Sequence, residues 1–302
     1  MTESFVFAHL SDPHLSDLSQ VRVNQLLGKR ALGYLSWRRK RRFEHRSEVL
    51  SAVGADLQRL APDHTVVTGD LTHISLPHEF EQARRWLESL GSHHRVTVIP
   101  GNHDAYVEVP WRVGCGQWED YLQGDDGGQG PDLFPSIRHR GPVAFIGCNS
   151  ALPVGPLFAK GTLGHHQRER LQRAIEALDS QHRIRVLLIH HPPVPGEEKW
   201  RKRLTDAPAL CAMLRETPVD LVLHGHRHRA LASAIPGTSI PVFGIPSSSA
   251  AGVHSPLPAE YNVYRIQCDL TSWRISVCGR AMQSEGSPFS ERQIDVVEGV
   301  FN

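Results

Sequence analysis

Residues 5–14 read FVFAHLSDPH, an aromatic and β-branched run that stops at Ser11, Asp12, Pro13 and His14. A short apolar run closed by turn-forming residues predicts a buried strand over residues 5–10. It sets Asp12 and His14 just beyond the strand's carboxyl end. Glu3 stands where a signal peptide would carry Lys or Arg, so the segment reads as a first strand and not as a leader.

Working outward, similar runs recur at residues 64–68, 96–99, 143–147, 184–189 and 220–223. Between them, residues 46–60, 78–90, 165–178 and 207–215 carry helical periodicity, with Leu171, Ile175 and Leu178 forming one apolar stripe. Strands alternating with helices predict a layered α/β core. After His228 the runs at residues 241–245, 261–270 and 273–278 follow one another without helices, which predicts a terminal antiparallel portion completing a second sheet. One domain is expected over residues 1–283, with an insertion at about 20–46; residues 284–302 read as a weakly patterned tail, and 124–131 as a flexible loop.

Composition narrows the class. The 302 residues balance 33 Lys and Arg against 32 Asp and Glu, a formal charge of +1, so no global field draws the chain to nucleic acid or membrane. The five cysteines, at 115, 148, 211, 268 and 278, form no C-x-x-C pair; this argues against a disulfide framework and predicts a reducing, cytoplasmic setting. No run approaches the roughly 18 consecutive apolar residues of a membrane span.

Among the 19 histidines, position is informative where number is not. The candidate strands run into Asp12 and His14, into Gly69-Asp70, into Gly101-Asn102-His103-Asp104, into His190, and into Gly225-His226-Arg227-His228. Ligands bind beyond the carboxyl ends of the strands in an α/β sheet, so residues far apart in sequence are expected to converge there. Gly69, Gly101 and Gly225 are expected to permit the tight turns that aim them. Two carboxylates, one amide oxygen and four imidazoles suit two divalent or trivalent transition-metal ions (Mn, Fe or Zn) better than a structural zinc cage. Seven ligands exceed what one ion takes; Asp70 is the natural bridge. Such a pair activates a bridging water or hydroxide and clamps phosphoryl oxygens, which is phosphoester hydrolysis. His93, His94, His165 and His166 read as solvated and His9 as packed in its strand; His191 and His224 are expected to point away from the metals.

The ordered set D-x-H, G-D, G-N-H-D, H and G-H-x-H, running from Asp12 to His228, resembles the calcineurin-like metallophosphoesterase family. That resemblance implies a four-layer α/β/β/α sandwich of two mixed β-sheets flanked by helices. It implies one metal held by Asp12, His14, Asp70 and His228, and the other by Asp70, Asn102, His190 and His226. It also implies His103 facing the leaving oxygen, with Asp104 orienting it. The expected activity is metal-dependent hydrolysis of a phosphodiester or pyrophosphate by a metal-bridging hydroxide. Gly161, Leu163 and Gln167 add the G-x-L-x-x-x-Q run shared with bacterial class III cyclic nucleotide phosphodiesterases, the alternative substrate reading. A scaffold that has lost its metals is disfavoured, because no ligand is missing.

The insertion, QVRVNQLLGKRALGYLSWRRKRRFEHR, holds Arg22, Lys29, Arg30, Arg38, Arg39, Lys40, Arg41, Arg42 and Arg46 against the single acid Glu44. These cations interleave with Leu26, Leu27, Leu32, Tyr34, Leu35, Trp37 and Phe43. A solvated hairpin is one reading. A flap on anionic lipid, as in relatives that cleave lipid-linked pyrophosphates, places the protein peripherally at the inner membrane face. A nuclease that binds nucleic acid through this insertion is the third and less favoured reading, since stacking calls for more aromatic residues.

Overall fold

The computed structural model describes residues 3–15, 17–178, 183–253, 258–282 and 286–301. Twelve strands among them form two six-stranded sheets. The first contains β1 (Glu3–Leu10), β2 (His64–Val67), β3 (Val96–Val98), β10 (Glu260–Cys268), β11 (Ser272–Met282) and β12 (Phe289–Val300) in the order β12-β11-β10-β1-β2-β3. The second contains β4 (Ser136–Arg140), β5 (Val143–Gly147), β6 (Ile184–Leu188), β7 (Leu221–His224), β8 (Leu231–Ala234) and β9 (Pro241–Gly244) in the order β4-β5-β6-β7-β9-β8. Both are mixed: β1-β2-β3 and β5-β6-β7-β9 are parallel, and the outer strands are antiparallel.

The sheets meet through large side chains that strand alternation turns to one face. Phe7 of β1 packs edge-on against Phe145 of β5 at 5.1 Å and stacks on Tyr264 of β10 at 4.5 Å. Helices follow in chain order: α1 (Lys29–Ser36), the short α2 (Arg42–Glu44), α3 (Ser47–Leu60), α4 (Pro77–Leu90), the short α5 (Glu119–Leu122), α6 (Gly164–Ala177) and α7 (Ala207–Glu216). Val49, Val53 and Leu57 of α3 and Phe80, Ala83 and Leu87 of α4 join the core of the first sheet. Leu171 and Ile175 of α6 and Leu210 and Leu214 of α7 form a separate core with Leu187 and Val222 of the second sheet. The result is the expected four-layer α/β/β/α sandwich.

Two sequence expectations fail, the first in part. Of the terminal runs, residues 241–244 form β9 in the second sheet as expected, but β10 and β11 extend the sheet of β1, because β1 has β2 on one edge and its other edge takes β10 in antiparallel register from Glu3↔Cys268 to His9↔Asn262. Residues 289–300 of the expected tail form β12, an edge strand on β11; residues 284, 285 and 302 lie outside the described residues. Its apolar residues Phe289, Ile294 and Val297 are only partly buried, so no clean apolar alternation marks it in the sequence. It is tied down by ions: Arg265 and Arg280 both reach Glu291, and Arg292 reaches Glu260 at 3.0 Å.

Two histidines are buried in the core of the first sheet. His9 Nε2 lies 2.9 Å from Thr68 Oγ1 and His64 Nε2 lies 2.7 Å from Thr97 Oγ1. Burial, helped by His224 and opposed by Asp12, pushes the His9 pKa down to about 3; burial also pushes His64 well below 6.5. Between these values and 6.5 the unfolded chain binds more protons, so stability is lost as pH falls through that window. At pH 5 the His9 contribution is about 2 kcal/mol. Thermal melts of metal-free protein at pH 7.5 and pH 5 are expected to separate widely, and His9→Gln to narrow the gap; an unchanged gap in that variant would contradict the assignment.

Candidate active site

The strand ends place the candidate ligands on short turns whose backbone is unusual. Asp12, His14, Asp70, His226 and His228 all have positive φ, between 43° and 69°. Non-glycine residues adopt this region at a cost that surrounding contacts must offset, and such residues cluster at functional sites. Here the contacts are hydrogen bonds between loops: Asp12 N to Gly69 O, His14 N to Asp70 O and Leu15 N to Leu71 O. Gly69 itself sits at φ 94°. Gly225, by contrast, is needed for space, because a Cβ there would collide with Ser11 Oγ and Asp12 Oδ2.

All seven expected ligands converge. His228 Nε2 lies 3.1 Å from Asp12 Oδ1, and Asp12 Oδ2 accepts from His226 N and from the Ser11 hydroxyl. Asn102 Oδ1 lies 3.1 Å from His190 Nε2 and 2.7 Å from His226 Nδ1. Asp70 Oδ2 lies 3.4 Å from His190 Nε2 and 3.9 Å from His14 Nε2. Two groups with metal-binding spacing, His14-Asp70-His103 and Asp70-His190-His226, share Asp70.

The donor set fits metal ions. His190 Nδ1 lies 2.6 Å from Thr68 O, and His14 Nδ1 lies 3.0 Å from Thr72 O. A carbonyl only accepts, so each Nδ1 carries the proton and each Nε2 turns a lone pair inward. In a neutral His190 that lone pair would face the Asn102 and Asp70 oxygens, an arrangement that requires a cation between them. In the metal-free site a proton takes this place: burial opposes it, but Asp70 and Asp12 overcome burial and hold the His190 pKa up to about 9. Burial keeps His14 and His226 neutral, well below 6.5, and His226 Nε2 is buried without a hydrogen-bond partner.

Asp104 requires a correction. Its carboxylate does not touch the His103 ring: Oδ1 accepts from Leu71 N and Thr72 N, and Oδ2 from Asp70 N and Gly101 N, at 2.9 to 3.0 Å. It ties the Asp70 turn to the Asn102 turn. Burial first and Asp70 second raise its pKa to about 7. The partner of His103 is the His73 carbonyl, 2.6 Å from Nδ1.

Spacing missed three further residues. His45 lies at the end of the insertion, with Nδ1 2.9 Å from Ser249 Oγ and its ring 4.4 Å from that of His14. The His73 ring stacks at 5.0 Å on the His14 ring. Arg41 places Nη1 3.1 Å from His103 Nδ1. Arg41 and Trp37, read with the outward residues of the insertion, turn inward: Trp37 is 6% exposed and packs with Leu18, Ile74 and Leu76. His93, His94, His165 and His166 are exposed, as expected. His191 is held by Ser150 Oγ and Ala159 O, with its ring 4.5 Å from that of His226. The His224 ring packs against Gly244.

A cleft of about 500 Å³ opens onto the site, lined by Asp70, Asn102, His103, His226 and His228 together with Lys29, Arg41, Tyr106, Phe158 and Lys202. A larger cavity of about 730 Å³ between the insertion and α3 meets the ligand set only at His14. The smaller one carries the reactive groups.

Fold, ligand set and cleft together define a dinuclear metallohydrolase acting on phosphate esters. The chain belongs to the calcineurin-like phosphoesterase family, whose sequence model matches residues 5–230. A probable cyclic nucleotide phosphodiesterase of Synechococcus is 27% identical over 233 residues, covering 75% of this chain and 80% of the relative. Another from Rhodococcus erythropolis is 26% identical over 204 residues, covering 65% of this chain and 60% of the relative. Among solved structures, a dimetal phosphatase from Danio rerio superposes with TM-score 0.62 at 10% identity, covering 99% of both chains. The purple acid phosphatase PPD1 of yellow lupin gives 0.58 at 11% identity, over 99% of this chain and 54% of that one. At such identities these two speak for the fold alone.

Proposed function

We infer that the substrate is a phosphodiester, with cyclic nucleotides the first class to test. The observation that carries this is the cleft: about 500 Å³ of space, lined by candidate metal ligands together with Arg41, Lys29 and Tyr106. That volume suits a small organic phosphate. The names of the two bacterial relatives point the same way. Gly161 and Gln167 support it too: Gln167 brackets Asn149 through both its backbone N and O, and Gly161 lies against the His191 ring behind the ligands.

Asp12, His14, Asp70 and His228 would hold one metal, and Asp70, Asn102, His190 and His226 the other. Bound there, the pair (Mn, Fe or Zn) supplies an activated water and neutralises the phosphoryl oxygens. The chain's own residues do the rest. The Thr68 and Thr72 carbonyls fix the imidazole tautomers, and Asp104 holds the two ligand turns together. His103 serves the leaving oxygen. Burial, then Arg41, keep its ring neutral in the free cleft, so the arriving phosphate anion is what draws a proton to Nε2. The test is a panel of bis-p-nitrophenyl phosphate, mononitrophenyl phosphate, cyclic nucleotides and a lipid pyrophosphate with metal-reconstituted protein. Preference for the monoester would overturn the diesterase reading; preference for the pyrophosphate would overturn the cyclic nucleotide assignment.

A second reading concerns the outer face of the insertion. Arg38, Arg39, Lys40 and Arg42 are exposed beside Leu27, Leu32, Leu35 and Phe43, which are also exposed. No helix among the described residues is long and apolar enough to cross a membrane. Cations next to exposed apolar side chains suit the surface of an anionic bilayer, each contributing about 1 kcal/mol there. Replacing these four cations with glutamine is expected to cut flotation with anionic liposomes at low salt at least about tenfold, while hydrolysis of a small nitrophenyl diester stays unchanged. Tight binding of single-stranded nucleic acid by wild-type protein that ignores such liposomes would favour the nuclease reading.

A further inference from the structure

The insertion does more than shade the cleft, because its inner side is fastened to the body at both ends. Arg30 donates to the Ile74 and Ser75 carbonyls at 3.1 and 2.6 Å. At the other end, Arg46 N donates to Ser249 O and Ala251 N donates to Glu44 O. Trp37 packs into the cluster of Leu18, Ile74 and Leu76. Between these anchors α1 runs on into a π-helical turn, Trp37–Arg41, and then into α2. Such turns widen the backbone by one residue and are frequent at functional sites. In this one, Trp37 points into the core while Arg41 reaches the cleft that holds Asp70, Asn102, His226 and His228.

Among the described residues the Arg41 guanidinium has no acceptor for its charge. Its hydrogen-bond contact there is Nη1 to His103 Nδ1 at 3.1 Å. Yet His103 Nδ1 is also 2.6 Å from the His73 carbonyl, which only accepts, so that nitrogen carries a proton and cannot receive one from Arg41. Among the described residues no carboxylate comes within ion-pair distance of Arg41, although exposed Arg residues elsewhere in the chain find one. Its donors open onto the cleft beside Asp70, Asn102 and His103, and a phosphate entering there is the group whose geometry the fork matches. Burial lowers the Arg41 pKa while Tyr106, Asp70, Glu79 and Asp12 raise it, which leaves the ion charged and close to the metal-site carboxylates.

We propose that Arg41 is a catalytic residue supplied by the insertion: its guanidinium binds a non-bridging oxygen of the reacting phosphoryl group, on the side where His103 meets the leaving oxygen. The ligand class is a tetrahedral oxyanion, whether diester, phosphate product or a mimic of the transition state. This rests on the phosphoesterase reading above. It gives the insertion a part in the chemistry, separate from the membrane-facing cations on its other side.

The experiment uses full-length, metal-loaded Arg41→Ala and Arg41→Lys with bis-p-nitrophenyl phosphate as substrate, and inorganic phosphate and orthovanadate as inhibitors. Arg41→Ala is expected to lose on the order of 100-fold in kcat/KM, the usual effect of removing one preorganised donor to a developing oxyanion. Both inhibitors are expected to weaken at least about tenfold, with metal content by elemental analysis unchanged. Added guanidinium ion is expected to restore part of the Arg41→Ala rate, which a purely structural role would not allow. Arg41→Lys retains stem and charge, guards against misfolding, and is expected to show the same weakened vanadate inhibition. Unchanged phosphate and vanadate inhibition at full metal content overturns the proposal, and so does activity lost in step with metal. Wild-type protein that is metal-loaded yet neither active nor inhibited by phosphate would overturn the phosphoesterase reading itself.

Discussion

Asp70→Ala is expected to leave the protein with less than one metal ion per chain, where the wild type carries about two, and to lower diester hydrolysis by about a thousandfold or more. Asp70 is the carboxylate shared by two of the three groups with metal-binding spacing among the described residues, with Oδ2 3.4 Å from His190 Nε2 and 3.9 Å from His14 Nε2. Its other oxygen accepts the His103 backbone N–H at 2.6 Å, so the same side chain also sets the turn that carries Asn102 and His103. Removing it leaves four imidazoles facing one carboxylate and one amide, too little negative charge for two cations. Elemental analysis separates this from a general loss of fold. Asp12→Ala, which reaches His228 but not His190, is expected to keep more metal than Asp70→Ala; equal occupancy in the two would count against the bridge.

The part of this site that was legible in the sequence is the part that strand ends dictate. Asp12, Asp70, Asn102, His190 and His226 each follow an apolar run, and parallel strands bring their carboxyl ends to one edge. The role of Asp104 was not legible, because a carboxylate one residue from a histidine can serve either the ring or the backbone. Only the fold shows the four amides converging on it. Nor could His45 and His73 be read, since neither sits where a strand ends. β4 escaped because Ser136-Ile137-Arg138-His139-Arg140 has no apolar periodicity; the buried Arg138 guanidinium instead serves the carbonyls of Gln123, His93, Val96 and Asp120. In the insertion, composition announced a basic surface. Which cations face out and which, Lys29, Arg30 and Arg41, turn in is set by the fold and by a π-helical turn that no residue pattern marks.

His103→Ala is expected to keep its metal and to lose activity in proportion to how poor the leaving group is. The ring lies in the cleft beside Asp70, with Nδ1 held by the His73 carbonyl and its plane stacked on Tyr106 at 5.4 Å. That leaves Nε2 as the nitrogen able to carry a proton to a departing oxygen. A nitrophenolate departs well without one, whereas an alkoxide or a ribose oxygen does not. The variant is therefore expected to lose less than about tenfold on bis-p-nitrophenyl phosphate and about 100-fold or more on a cyclic nucleotide or an alkyl diester. A series of phenyl diesters of rising phenol pKa should steepen the dependence of rate on leaving group relative to wild type. The pH profile adds a second readout: with the proton on Nε2 drawn there by the anion in the cleft, the alkaline limb set by His103 belongs to kcat and is absent from kcat/KM. Parallel losses across the whole series would remove His103 from the leaving-group role and assign its effect to the His73 and Tyr106 packing around the ligand turn.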